Sequence, residues 1–293
     1  MLKDYVVADS LEEVEEYLNS GDGSFQIVAG GTDVMVDLKK GKFYTEKLLD
    51  INNISELKEI REEDGNIIIG GAVTFQEIIE SNLIKKKLAV LVQACRQIGT
   101  WQIRNRGTLA GNIVHAQPAA DGAVVMFALE ARARVKKGQE INEYSVPDLY
   151  EGPGKSKIDS TRELIKELVV TPLEKNQGAS FQRIAKRNSL SLPLINTVTL
   201  VRVDENKKIS EARVTASPVA PIPKRLSETE NSLVGVSIKD DVALRKAADT
   251  AEKEASPRDS LLRGSGEYRK ELVKELIYRG INEALEEAVE GSG

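Results

Sequence analysis

The chain has 293 residues, too long for one small core and suited to two domains, with 41% hydrophobic and 30% charged residues. Its net charge of -5 argues against a general nucleic-acid binder, so a phosphate ligand must be held by local geometry and not by an overall positive field. One cysteine, Cys95, and one histidine, His115, exclude an internal disulfide framework, a four-cysteine iron–sulfur site and a multi-histidine zinc site, which leaves redox work to an organic cofactor.

The opening MLKDYVVADS carries charge at Lys3 and Asp4 and is not patterned as a signal peptide. No apolar run is long enough to span a bilayer, and a cytoplasmic protein is expected. Residues 6–8 read as a short strand. Ser10, with Glu13 three residues on, then opens a helix through a capping box. Leu11, Val14 and Leu18 form its apolar face, and Gly21 and Gly23 end it. Residues 25–29 read as a strand running into Gly30-Gly31, and residues 48–51 as another.

Ile67, Ile68 and Ile69, bounded by Gly65 and by Gly70-Gly71, predict a buried strand entering a tight turn. Residues 75–79 and 83–98 read as helices. Residues 99–121 are rich in Gly, Asn, Gln and Thr and read as a long irregular segment of the functional kind. A helix over 123–129, a strand over 131–135, a turn at residues 151–154 and a strand over 164–170 follow. The polar stretch 174–178 marks a domain boundary. Beyond it the pattern gives strands over 180–185, 194–203 and 209–214. Pro218, Pro221 and Pro223 punctuate a loop, and helices follow over 225–233, 240–255 and 267–288. The class is α+β: elements mix in the first part, and strands precede helices in the second.

Three segments carry the candidate chemistry. In Val28-Ala29-Gly30-Gly31-Thr32-Asp33, a strand meets paired glycines, which let backbone N–H groups turn toward an anion such as a pyrophosphate. A plain tight turn is the competing reading. Gly70-Gly71-Ala72-Val73-Thr74 repeats the logic more weakly. The third runs from Gln102 to Asn112, with Pro118-Ala119-Ala120-Asp121 downstream. Gly107, Ala110 and Gly111 permit close backbone contact, and Thr108 and Asn112 can bond phosphate or ribose oxygens. Asp121 either accepts from sugar hydroxyls or caps a helix. Arg104 and Arg106 either neutralise phosphate or form ordinary salt bridges. His115 is an acid–base group or a bystander, and Cys95 reads as core. Gly21-x-Gly23 is no dinucleotide fingerprint, because Gln26 stands where the third glycine belongs.

Together these motifs resemble the FAD-binding medium subunits of the xanthine dehydrogenase family of molybdenum hydroxylases, whose loops read AGGTD, GAxxT and QIRNxGTxGGN with a downstream PxxD. Here they stand as Ala29 to Asp33, Gly71 to Thr74, and Gln102 to Asn112 with Pro118 and Asp121. Tyr150-Glu151-Gly152-Pro153-Gly154 with Glu163-Leu164-Ile165, the run 181–187, and Ser265-Gly266-Glu267-Tyr268-Arg269 extend the likeness from about residue 4 to residue 288.

The resemblance implies a vanillyl-alcohol-oxidase-type (PCMH) FAD-binding domain over 1–174, with α+β subdomains of about 1–52 and 53–174. A smaller α+β C-terminal domain would span 178–289. It implies a pyrophosphate loop at Ala29 to Val34, a second FAD loop at Thr108 to Asn112, and Asp121 on the adenosine side. Ile98 and Leu192 would lie near the flavin ring, with Val169 packed nearby. Where the family has Gly-Gly-Asn this chain has Ala110-Gly111-Asn112. Gln182-Arg183 replaces the family lysine near the flavin, and Ser191-Leu192 replaces an Asp–aromatic pair.

The implied function is electron transfer. The partners would be an iron–sulfur subunit with two-iron two-sulfur clusters and a molybdenum-cofactor subunit, in a heterotrimer. FAD can take electrons singly and release them as a hydride to NAD or another acceptor, and no residue of this chain need act as a general base. The alternative is a self-contained FAD-dependent oxidoreductase with its own substrate pocket.

Overall fold

In the computed structural model, which describes residues 2–19, 25–42, 45–187 and 190–291, the chain begins with a small parallel sheet. Strands β1 (Asp4–Val7), β2 (Phe25–Val28) and β3 (Lys47–Asp50) lie in the order β1-β3-β2, all parallel. Parallel neighbours need crossovers. These are helix α1 (Leu11–Asn19) and the six-residue α2 (Val34–Lys39). At the start of α1, Ser10 Oγ accepts from the Glu13 amide at 3.2 Å, while the Glu13 carboxylate accepts from the Asp9 amide at 2.8 Å. The capping box therefore closes one residue earlier than its sequence form predicts. Leu11 and Val14 face a core with Ala8, Phe25, Leu49 and Ile51. The expected helix end at Gly21 and Gly23 lies outside the described residues.

Strands β4 (Ile60–Glu63) and β5 (Asn66–Gly70) form a hairpin. Six helices follow: α3 (Phe75–Glu80), α4 (Asn82–Lys87), α5 (Ala89–Arg96), α6 (Trp101–Arg104), α7 (Leu109–His115) and α8 (Asp121–Ala128). Then come β6 (Arg132–Lys137), β7 (Glu140–Ser145), a small hairpin of β8 (Tyr150–Gly152) and β9 (Lys155–Ser156), and β10 (Leu164–Val170). β10 inserts antiparallel between β5 and β6, giving the order β4-β5-β10-β6-β7. Ile67, Ile68 and Ile69 are fully buried, as a β-branched run in a central hairpin arm requires.

Two expectations need correction here. The helix predicted over 83–98 is two helices broken at Leu88, whose φ of -144° and ψ of 49° are not helical. Leu88 is fully buried, so the demands of the core override helix propensity. The segment 99–121 is not irregular. It folds into α6 and α7, started by Thr100, which accepts from the Ile103 amide, and by Thr108, which accepts from the Gly111 amide. Strands β4 and β7 and helix α2 were not predicted.

The rest of the chain is an antiparallel meander of β11 (Gln177–Ala185), β12 (Pro193–Val203), β13 (Ile209–Ser217) and the short β14 (Lys224–Arg225), then α9 (Ser227–Leu233), α10 (Asp241–Glu254) and the 25-residue α11 (Gly266–Glu290). Helix α11 lies on one face of this sheet, so close that a Cβ on Gly178 would stand 2.0 Å from the Ala284 carbonyl oxygen. On the other face Ala179, Phe181, Val198 and Leu200 join the core around α8. All eight residues of α8 are buried, packed between helix α5 and strands β12 and β13 of this sheet. Each of its larger apolar side chains contributes about 1.5–3 kcal/mol by leaving water.

Candidate cofactor site

A cleft of about 510 Å³ opens where the parallel sheet meets the helical middle of the chain. The loop leaving β2 forms one wall: Val28, Ala29, Gly30, Gly31, Thr32, Asp33 and Val34 all line it. Thr108, Ala110, Gly111 and Asn112, at the start of α7, line another, and Ile98 and Leu192 also border it.

The glycine loop is braced from behind. The Ile51 amide donates to the Val28 carbonyl at 3.1 Å, and the Asn52 side-chain amide donates to the Ala29 carbonyl at 2.6 Å. Asp50 Oδ1 accepts from the Asn52 backbone amide at 2.8 Å, and Tyr5 donates its phenol proton to the same carboxylate. Burial first, and then the bond and charge of Asp50, push the Tyr5 phenol up to about 12. It stays a donor at neutral pH. In front, the loop abuts the Arg106–Gly107 backbone, and Gly30 has no room for a Cβ.

Gly31 takes φ +69°, a left-handed conformation that suits glycine. The next turn starts with the Met35 amide donating to the Gly31 carbonyl and the Val36 amide to that of Asp33. The backbone amides of residues 30–34 have no acceptor among the described residues, so they are available to an anion. Among the described residues the cleft lining holds Asp33, Asp37 and Glu163 and no lysine or arginine. Arg104 instead donates to the Ile98 carbonyl at 3.2 Å. An anionic ligand here is held by backbone dipoles, as the acidic net charge of the chain foreshadows.

Asn112 adds a specific signal. Its Oδ1 is buried and has no hydrogen-bond partner among the described residues. Such an acceptor costs about 1–3 kcal/mol if nothing answers it. Thr108 Oγ1 accepts from the Gly111 amide at 3.0 Å, which leaves its own proton to donate. A cradle that rejects side chains, free amides and an orphaned acceptor fit a dinucleotide such as FAD.

Other predicted contacts lie outside the lining. Thr74 caps α3 in a full capping box with Glu77, which occupies its hydroxyl. Gly107 packs against the loop, its carbonyl accepting from the Phe75 amide at 2.9 Å. Val169 is buried within the sheet, paired with Ile68 and Arg132. Asp121 is buried and faces the C-terminal sheet: Arg183 Nε contacts it at 3.2 Å, and Asn196 donates to it at 2.7 Å. Burial raises its carboxyl above the ordinary range, and the Arg183 charge opposes this. Arg183 also donates to the Ser191 carbonyl, beside Leu192. Gln182 bonds Ser180 and Glu283 at 2.8 and 2.6 Å, toward α11.

The cleft also gathers residues that sequence reasoning did not single out. Ile158, Ser160 and Ile165 line it because the segment before β10 runs beside β2, where the Ile27 amide donates to the Ser160 carbonyl at 2.9 Å. Gly71 lies inside the second motif, and Phe75 follows it directly. His115 lines the cleft with Nδ1 at 3.4 Å from Asp33 Oδ1. Cys95 is fully buried, and burial pushes its thiol pKa up, as a core residue's should be.

Residues 2–172 match the family model for the FAD binding domain in molybdopterin dehydrogenase, and residues 180–284 match that for the CO dehydrogenase flavoprotein C-terminal domain. The chain is 32% identical to the 6-hydroxypseudooxynicotine dehydrogenase complex subunit alpha of Paenarthrobacter nicotinovorans, over 97% of this chain and 95% of that one. It is 27% identical to the glyceraldehyde dehydrogenase medium chain of Sulfolobus acidocaldarius, over 95% and 97% of the two chains. A chain of quinoline 2-oxidoreductase from Pseudomonas putida 86 shares the fold with a TM-score of 0.90 and 24% identity, covering 99% of this chain and 98% of that one. No helix among the described residues is long and apolar enough to cross a membrane.

Proposed function

Because the chain belongs to the family of FAD-binding medium subunits of molybdenum hydroxylase-type complexes, we propose that it is an electron-transfer subunit standing between the two-iron two-sulfur clusters of a partner and NAD or another acceptor. Hydroxylation would take place on a separate molybdenum-cofactor subunit, in the cytoplasm. When bound, FAD supplies the exchange between single-electron and hydride chemistry.

The residues of this chain bind and orient. Amides of residues 30–34 would hold the pyrophosphate, and Asn112 Oδ1 would accept from a ribose or ribityl hydroxyl. Ile98 and Leu192 would shield the apolar part of the group from water. The observation that carries the reading is the conjunction of free loop amides with the Thr108 and Asn112 side chains on the walls of a single cleft. The one imidazole, His115, sits beside Asp33 of the glycine loop, and among the described residues the lining offers no cysteine, lysine or tyrosine for proton transfer.

The test is to purify the tagged chain with whatever accompanies it and to quantify flavin, iron and molybdenum per chain. Co-purifying iron and molybdenum subunits, with NAD reduction in the reduced complex, would support the reading. A chain that turns over a substrate alone, with flavin and no metals, would overturn it in favour of a self-contained oxidoreductase.

A further inference from the structure

A second cavity, of about 450 Å³, lies between the helical middle of the chain and the C-terminal sheet. Pro118, Pro153, Pro218 and Pro221 line it, and prolines offer no N–H groups. Its charged donors are three arginine side chains. The segment between α10 and α11 brings Arg258 and Arg263, and the first turns of α11 bring Arg269.

The three guanidinium groups are poorly compensated. The one carboxylate in the lining, Asp259, already accepts from the Gly266 amide at 2.7 Å. Arg269 is 2% exposed, yet its hydrogen bonds end on carbonyls: Leu194 and Arg258, each at 3.1 Å, and Pro218. The side chains of Arg258 and Arg263 have no hydrogen-bond or ion-pair partner among the described residues. Burial, then the neighbouring arginine charges, push the pKa values of Arg263 and Arg269 down from their ordinary value. Arg269 is the buried charge of the three, Arg263 is half-buried and Arg258 is exposed at the rim; no carboxylate among the described residues answers the buried charge, which is unfavourable, and the chain as a whole is acidic, so this cluster is not part of a general cationic surface.

We propose that this cavity binds a small divalent oxyanion, either phosphate or the phosphoryl group of an organic phosphate, through Arg258 and Arg263 beside the buried charge of Arg269. The planar guanidinium fork suits bidentate bonding to such a group. A proline-edged recess of this volume, open on the side of Arg258 and Asp259, fits a small ligand. Leu261 and Leu262 on the same segment are fully exposed, however, and a partner chain is the outcome to be excluded. The cavity shares no lining residue with the glycine-loop cleft, so the proposal is independent of the FAD reading.

The test is calorimetric titration of the FAD-loaded chain with inorganic phosphate and with phenyl phosphate, for the wild type, Arg258→Gln and Arg263→Gln. The wild type should bind saturably at one site, and each variant should bind about tenfold more weakly, as loss of a charge-assisted bond implies. Flavin absorbance should not change. Tighter binding of phenyl phosphate would identify an organic phosphate as the ligand. Equal affinities would identify the free ion. No saturable binding, or binding indifferent to both arginine substitutions, would overturn the proposal. So would variants that lose partner subunits from the complex while the wild type binds neither phosphate.

Discussion

Gly30 and Arg106 meet backbone to backbone: a Cβ on Gly30 would stand 2.1 Å from the Arg106 carbonyl oxygen. Neither side can yield as a flexible side chain could, so the glycine loop and the segment before α7 are fitted to one another. Gly30→Ala should push these walls apart and abolish FAD retention. Gly31→Ala is a different case. Its nearest neighbours, Val28 Cγ2 at 3.5 Å and Met35 Cγ at 3.7 Å, leave room, and the penalty is the left-handed backbone, about 1–2 kcal/mol. That variant should keep FAD with reduced affinity. The flavin-to-protein absorbance ratio after gel filtration reads both, and full occupancy in Gly30→Ala would contradict the assignment of the loop.

Asn112→Leu separates binding from folding. The substitution removes a buried acceptor that no described protein group satisfies, so the FAD-free chain should lose no stability and gain up to about 1 kcal/mol. FAD affinity should fall at the same time. Thermal unfolding without cofactor, paired with a fluorescence titration with FAD, checks the two halves. A strongly destabilised FAD-free variant would mean that Asn112 serves the fold instead.

The glycine loop was legible because a strand ending in two glycines has few uses, and the three motifs together pointed to one cofactor. Strand β5 announced itself by a continuous apolar run, and β10 by two apolar clusters on either side of Lys166 and Glu167. Strand β7 did not, because most of its residues are exposed and its sequence lacks alternation. The break at Leu88 has no local marker, neither glycine nor proline, because buried packing causes it. Asp121 shows a deeper limit. Its position in a PxxD motif suggested a sugar contact, yet its partners, Arg183 and Asn196, lie 62 and 75 residues away in sequence. Only the folded chain brings them together.

His115→Gln should leave electron transfer almost unchanged. The imidazole is partly exposed, and its contact with Asp33 is long at 3.4 Å. A partly exposed residue without a buried role changes free energies by about 0.5 kcal/mol, or about twofold in a rate. Stopped-flow rates of flavin reduction and reoxidation in the assembled complex measure this. A severe loss with flavin and partners retained would assign His115 a proton-transfer role.

Asp121 and Arg183 join the two halves of the chain through a buried ion pair, with Asn196 as third partner. Arg183→Met would leave the carboxylate buried without its cation and should destabilise the chain by on the order of 3 kcal/mol. Adding Asp121→Asn should recover much of that loss. The pH dependence has a definite sign. Because burial raises the Asp121 pKa on folding, its contribution is fully present below the ordinary aspartate value and is lost as pH rises through the raised value. The stability of the wild type minus that of Asp121→Asn should therefore fall as pH rises from about 4, the ordinary aspartate value. Denaturant titrations of both proteins across that range decide it. A difference that grows with pH would mean that Arg183 outweighs burial and that the ionised pair is the more stable form.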